Sequence, residues 1–126
     1  MIAGDSCVFI DYLSGVRNVY TDRLDDAVLS RTLAVSPVVI TELLSNPKPH
    51  PNLSVVLDSL VVLTVEKDYW NRAGLLRAKV RRLGLKANLG DALIAQSCID
   101  HDVALLTTDV DFRHYVKAGG LKLAVK

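Results

Sequence analysis

Short apolar runs alternate along the chain with segments in which apolar residues recur every three or four positions, the two periods of strand and helix. Met1 to Gly4 reads as a brief strand and Val8 to Leu13 as the helix behind it. A second helix is expected over Val19 to Thr32, with Tyr20, Leu24, Ala27 and Val28 on one face, followed by a strand at Leu33 to Val35. Ser36-Pro37 has the form of an N-cap followed by proline at the first helical position, where its missing N–H costs nothing. That helix runs to about Ser45 and stops before Asn46-Pro-Lys-Pro-His-Pro-Asn52, a loop whose three prolines block regular hydrogen bonding.

Beyond the loop, Leu53 to Leu60 is helical and Val61 to Val65 is a β-branched strand. Asp68 to Leu83 places Ala73, Leu76, Val80 and Leu83 on one helical stripe closed by Gly84, with Tyr69 and Trp70 expected to anchor the helix to the core. An apolar helix follows from Asp91 to Asp100, then a strand at Ala104 to Thr107. A helix from Asp111 to Lys117 ends at Gly119-Gly120, and Leu121 to Val125 forms a last strand. Strands separated by helices imply parallel pairing and a sheet covered on both faces. The expected fold is α/β, one three-layer α/β/α domain over residues 1–126 with a mainly parallel sheet of about five strands.

Composition narrows the class. Half of the 126 residues are apolar and 23% are charged, which excludes a disordered tail or a charged coiled coil. No run approaches a membrane span, and the opening MIAGD has neither a basic stretch nor a long apolar core. Cys7 and Cys98 form no CxxC pair. The expectation is a reduced cytoplasmic protein with no membrane association and both thiols as small buried side chains.

The candidate chemistry lies in the carboxylates. Asp5 directly follows the first strand, Glu42 lies in the helix after the second, Asp91 opens a helix, and Asp109 and Asp111 follow the strand ALLTT. In open parallel sheets the residues after strand ends converge on one crevice. Like charges held together there force protonation unless a cation neutralises them. Carboxylates without Cys or His partners suit hard ions, Mg²⁺ with Mn²⁺ as a substitute, and Mg²⁺ commonly shares its shell with phosphate oxygens. Phosphodiester cleavage is the chemistry that follows. Taken singly, Asp5, Asp91 and Asp109 also suit helix N-caps. Glu42 sits among Val38, Val39, Ile40, Leu43 and Leu44, where an unpaired carboxylate is costly unless it faces solvent.

The strings DSCVFIDYL, SPVVITELL, GDALIAQSC and LLTTDVDF, in that order, resemble the PIN domain of VapC-type toxins over essentially the whole chain. The resemblance implies a PIN-like fold and a Mg²⁺-dependent endoribonuclease of a toxin–antitoxin pair. Asp5, Glu42, Asp91 and Asp109 match its four acids, with Asp5, Asp91 and Asp109 as the main metal ligands. Asp111 matches a further acid, and Ser6 and Thr107 match hydroxyl positions beside the site. The resemblance also implies a homodimer and a cognate antitoxin whose C-terminal segment blocks the acids. Gly4 stands where the family usually has a bulky strand residue, and Cys7 where Asn or Ser is common.

Other features carry less. His50, His101 and His114 lack ligand spacing and read as surface residues, as does the turn Asp100-His101-Asp102. Between Tyr69 and Gly90 lie six basic residues and no acid, with Arg72, Lys79 and Arg82 on one side of the helix. That stripe is either a solvated face or a contact for RNA phosphates. Two other classes stay open: a catalytically silent PIN-like module binding RNA or protein, and another Mg²⁺-using α/β protein. A phosphatase would need a second Asp after Asp5, and a receiver an acidic pair there; neither is present. The net charge of +1 first reads as no nucleic-acid binder. Setting aside the four matched acids leaves ten against fifteen basic residues, a balance of +5. The neutral total therefore averages an acidic site with a basic remainder.

Overall fold

In the computed structural model, which describes residues 1–126, the first strand is the middle of the sheet. β1 (Ile2–Gly4) pairs in parallel with β2 (Leu33–Val35) on one side and β4 (Ala104–Leu106) on the other. β3 (Val61–Val62) pairs in parallel outside β2, giving the order β3-β2-β1-β4. The chain thus winds outward from β1 to β3 and returns to the other side of β1. That reversal makes the carboxyl ends of β1 and β4 a topological switch point, where a crevice opens beyond the strands.

Parallel pairing obliges helical crossovers. α1 (Ser6–Leu13) and α2 (Val19–Leu29) join β1 to β2, and α3 (Pro37–Leu44) and α4 (Leu53–Asp58) join β2 to β3. α5 (Tyr69–Arg82) and α6 (Leu89–Asp100) lead back to β4, after which a 3₁₀ turn (Val110–Phe112) opens α7 (Arg113–Gly119). Helices cover both sides of the sheet: α1 packs on α2 and α3, and α5 packs on α6 and α7. Local signals explain several boundaries. Asn18 caps α2 through the backbone N–H groups of Tyr20 and Thr21, and Thr21 returns the bond to the Asn18 N–H. Ser36 and Pro37 occupy the expected cap and first-turn positions, but the buried Ser36 hydroxyl makes no cap bond. The fixed φ of Pro37 starts α3 without it.

Some expectations are corrected. The sheet is mainly parallel as expected and its four strands are close to the expected five, but Leu121–Val125 contributes only an isolated parallel bridge from Leu123 to Leu105. β4 is three residues long, and Leu105 alone offers its outer N–H and C=O, to Lys122 and Ala124. β3 stops at Val62, both its residues being exposed at the sheet edge, while Leu63 turns into the core. On α5, Tyr69, Ala73, Leu76 and Val80 are buried, but Trp70 is 62% exposed and Leu83 is exposed past the helix end. Trp70 lies about 100° around the helix from Tyr69, off the buried stripe.

Gly4 answers the missing bulky residue. A Cβ there would stand 2.6 Å from Phe9 Cε2. The Phe9 ring, wholly buried on α1, fills the space a side chain would need. The small residue at the strand end lets the first helix fold tightly onto β1.

Candidate metal centre

Asp5 emerges from β1 as the N-cap of α1, its backbone N–H still paired to the Leu106 carbonyl of β4 at 3.0 Å. Its carboxylate is buried and well supplied with donors. The Ser6 N–H donates to Oδ1 at 2.9 Å, and the Thr107 hydroxyl donates to Oδ2 at 2.6 Å. The Cys7 thiol also donates to Oδ2, at 3.3 Å. Cys7 is therefore not a buried core thiol, as expected from the sequence, but a half-buried polar group of the site. Burial, then the Asp5 charge, push its pKa up, so it stays a protonated donor. The Thr108 hydroxyl donates in turn to Cys7 Sγ at 3.3 Å. Cys98 is fully buried, its thiol pushed up to about 12 by burial.

Thr107 ties Asp5 to the last acids. Its Oγ1 accepts the Asp109 N–H at 3.0 Å, and Asp109 Oδ1 accepts the Asp111 N–H at 2.9 Å. Asp109 is thereby the N-cap of the 3₁₀ turn, and that turn carries Asp111 back over the crevice. Asp91 arrives from α6, in the first turn of the helix and not at its cap, which is Asn88. Carboxylate oxygens of Asp91, Asp109 and Asp111 all lie within 4.8 Å of one another. Asp111 thus joins the cluster directly, whereas Asp5 lies beside it, held by hydrogen bonds. The nearest cation to Asp111 is the exposed Lys86, 3.6 Å away.

The titration behaviour records the convergence. Asp91 is pushed up to about 6, first by burial, then by the charges of Asp109, Asp5, Asp111 and Glu42. A carboxylate in the first turn of a helix is ordinarily favoured by the helix dipole, so neighbouring negative charge and burial outweigh that help. Glu42 is exposed on α3, yet burial of its carboxyl and the Asp5 charge push it up, with the Ser6 hydroxyl offsetting part of this. Asp91 therefore feels the other four acids across a single crevice. A hard divalent ion fits this donor set: Asp91, Asp109 and Asp111 offer clustered carboxylate oxygens, with the Cys7 thiol on Asp5 rather than among them and only the exposed Lys86 nearby to offset their charge.

The remaining candidates fall elsewhere. Arg72 is committed to Asp100, in a bidentate pair, and to the Lys67 carbonyl, so it is not a free surface cation. Arg77 is engaged with the Ala87 carbonyl, while Lys79 and Arg82 are exposed on α5. Asp100 belongs to that ion pair, Asp102 pairs with Lys122, and His101 meets the Thr64 carbonyl, so the Asp-His-Asp turn is no metal site. His114 likewise bonds a backbone carbonyl, that of Lys86. Lys86 counts in the sequence only as one of the six basic residues between Tyr69 and Gly90, with nothing to set it beside Asp111. Thr108 was visible only as the middle residue of TTD.

A family model for the PIN domain matches residues 2–118. In three dimensions the chain is similar to VapBC2 from Rickettsia felis, crystallised bound to a DNA fragment from their promoter. That match has TM-score 0.76 and 22% identity, covering 98% of this chain and 97% of that one. FitAcB from Neisseria gonorrhoeae is similar at TM-score 0.74 and 15% identity, over 98% and 96% of the two chains. DNA-bound VapBC from Salmonella typhimurium is similar at TM-score 0.70 and 19% identity, over 98% and 97%. A search of curated proteins finds no match. Identities this low speak to the fold alone. No helix is long and apolar enough to cross a membrane.

Proposed function

This chain belongs to the PIN domain family, and from that premise we propose that it is a Mg²⁺-dependent endoribonuclease, the toxin of a toxin–antitoxin pair. The observation that carries the reading is the meeting of Asp91, Asp109 and Asp111 at the switch-point crevice, beside the buried Asp5. PIN domains are generally nucleases, and structural neighbours named as VapBC complexes support an antitoxin partner. An antitoxin Arg or Lys entering the crevice would satisfy the same charge excess as a metal ion. A homodimer and a cytoplasmic location complete the proposal.

The chain's own groups divide the work. Asp91, Asp109 and Asp111, with Asp5 alongside, would hold Mg²⁺ or Mn²⁺. Such an ion, when bound, acidifies water and neutralises charge growing on the phosphoryl oxygens. Asp5 is oriented before any ligand arrives, because Ser6, Cys7 and Thr107 fix both of its oxygens. Thr107 also sets the start of the turn that presents Asp109 and Asp111. Glu42, on α3 and within reach of the Asp5 charge, would bind a second ion or orient the attacking water.

Incubation of total cellular RNA with the protein in Mg²⁺, followed by end mapping, tests this. Discrete new ends that vanish with chelator support it; no cleavage with any divalent ion would remove it.

A further inference from the structure

Between α7 and the segment 121–126 lies a cleft of about 730 Å³. Its apolar wall includes Val116 and Leu123, and its charged lining is Arg113, Lys117, Lys122 and Lys126, with no acid. Lys122 is paired with the exposed Asp102, but Arg113, Lys117 and Lys126 make no salt bridge. Arg113 and Lys117 are four residues apart, so they share one face of α7.

A smaller cleft adjoins it. Thr107, Thr108 and Asp109 line that second space, which shares Arg113 and Leu123 with the first. The second space reaches the acidic cluster at Asp109, and α7 begins at Arg113 directly after the turn carrying Asp109 and Asp111. Lys79 and Arg82, the sequence-based candidates on α5, line neither space.

We infer that the α7 cleft seats the single-stranded RNA segment adjoining the scissile phosphate. Its phosphates lie against Arg113, Lys117 and Lys126, and its sugars and bases against Val116 and Leu123. The inference rests on the ribonuclease reading of the acidic site. RNA is favoured over an acidic peptide because the unpaired cations lead directly from a crevice suited to phosphodiester chemistry. Binding through them is electrostatic and must weaken with salt, for single strands by a log–log slope of about 0.7 per phosphate contacted.

The test is fluorescence anisotropy with a labelled 12-nucleotide oligouridylate, in chelator so that nothing is cut, over a salt series. Lys117→Glu/Lys126→Glu should weaken binding about tenfold at low salt and flatten the slope by about 1.4, the loss of two contacts. Lys79→Glu/Arg82→Glu should change affinity less than about twofold. All these positions are exposed, and matching circular dichroism melts of the variants exclude misfolding as the cause. Wild-type affinity in the α7 double variant overturns the inference and leaves the cleft to a protein ligand. Cleavage of the same oligomer by wild type in Mn²⁺ is read separately. If wild type cuts while the α7 variant binds normally, only the cleft assignment fails; if wild type neither binds nor cuts, both fail.

Discussion

Thr107 Oγ1 donates a 2.6 Å hydrogen bond to Asp5 Oδ2, joining the ends of β4 and β1 across 102 residues of chain. The same oxygen accepts the Asp109 N–H, so one hydroxyl positions acids on both strands. Thr107→Val should leave a buried carboxylate short of a donor and cost about 1–3 kcal/mol. Thr107→Ser should restore most of that. Urea midpoints for the three proteins check this, and a Val variant as stable as wild type would contradict the bond's role.

Gly4→Ala asks whether the first helix needs a bare strand end. The added methyl would meet the buried Phe9 ring at 2.6 Å, and overpacking of this kind costs about 1–3 kcal/mol. Combining it with Phe9→Leu should recover part of the loss. The melting temperatures of single and double variants decide; an unshifted Gly4→Ala protein would sink the packing explanation.

Asp91 gives a pH signature. Its folded pKa is raised from 3.8 to about 6, so the native state holds this proton more tightly than the unfolded chain does. The contribution is complete below about pH 4 and is lost as pH rises through 6. Metal-free Asp91→Asn should therefore melt higher than wild type at pH 7.5, the gap closing toward pH 4. Solvent screening at this partly exposed group keeps the gain below about 3 kcal/mol. Added Mn²⁺ should raise the wild-type melting temperature at pH 7.5 and much less at pH 5, where the proton competes, and should leave Asp91→Asn nearly unmoved. Equal Mn²⁺ shifts in both proteins would remove Asp91 from the ligand set.

Arg72 separates structure from RNA contact. Burial raises the Asp100 pKa, but Arg72 and Gln96 outweigh it and hold the carboxyl below its ordinary 3.8. The pair's stabilisation is complete above that value and fades as pH falls through the lowered one. Arg72→Ala should lower the melting temperature at neutral pH while leaving oligouridylate affinity unchanged. A loss of RNA affinity in a protein that melts normally would restore Arg72 as a phosphate contact.

Asp5 and Asp109 are legible in the chain as acids at the ends of parallel strands, which converge, whereas Thr107 enters only through the resemblance to the PIN domain. The part played by Asp111 is not legible there, since it depends on a single 3₁₀ turn doubling back over the crevice. The burial habit of free cysteine predicts a small buried side chain at Cys7; the neighbouring Asp5 carboxylate makes it a donor. Leu121–Val125 has strand-like composition, but β4 offers it one residue to pair with. The stripe through Arg72 was visible as charge, whereas its commitment to Asp100 required α6 to pack on α5. The four-residue spacing of Arg113 and Lys117 is in the sequence, whereas the cleft they line depends on Leu123 docking beside α7.

On the proposed function, the clustered acids run the cleavage of RNA. That is tested most directly by the single-turnover cleavage rate of a defined, end-labelled RNA at pH 7.5 in Mg²⁺, for wild type and Asp91→Asn. Loss of a metal-binding carboxylate should slow cleavage by roughly a hundredfold or more, with circular dichroism unchanged. An Asp91→Asn protein cutting at the wild-type rate would contradict the account.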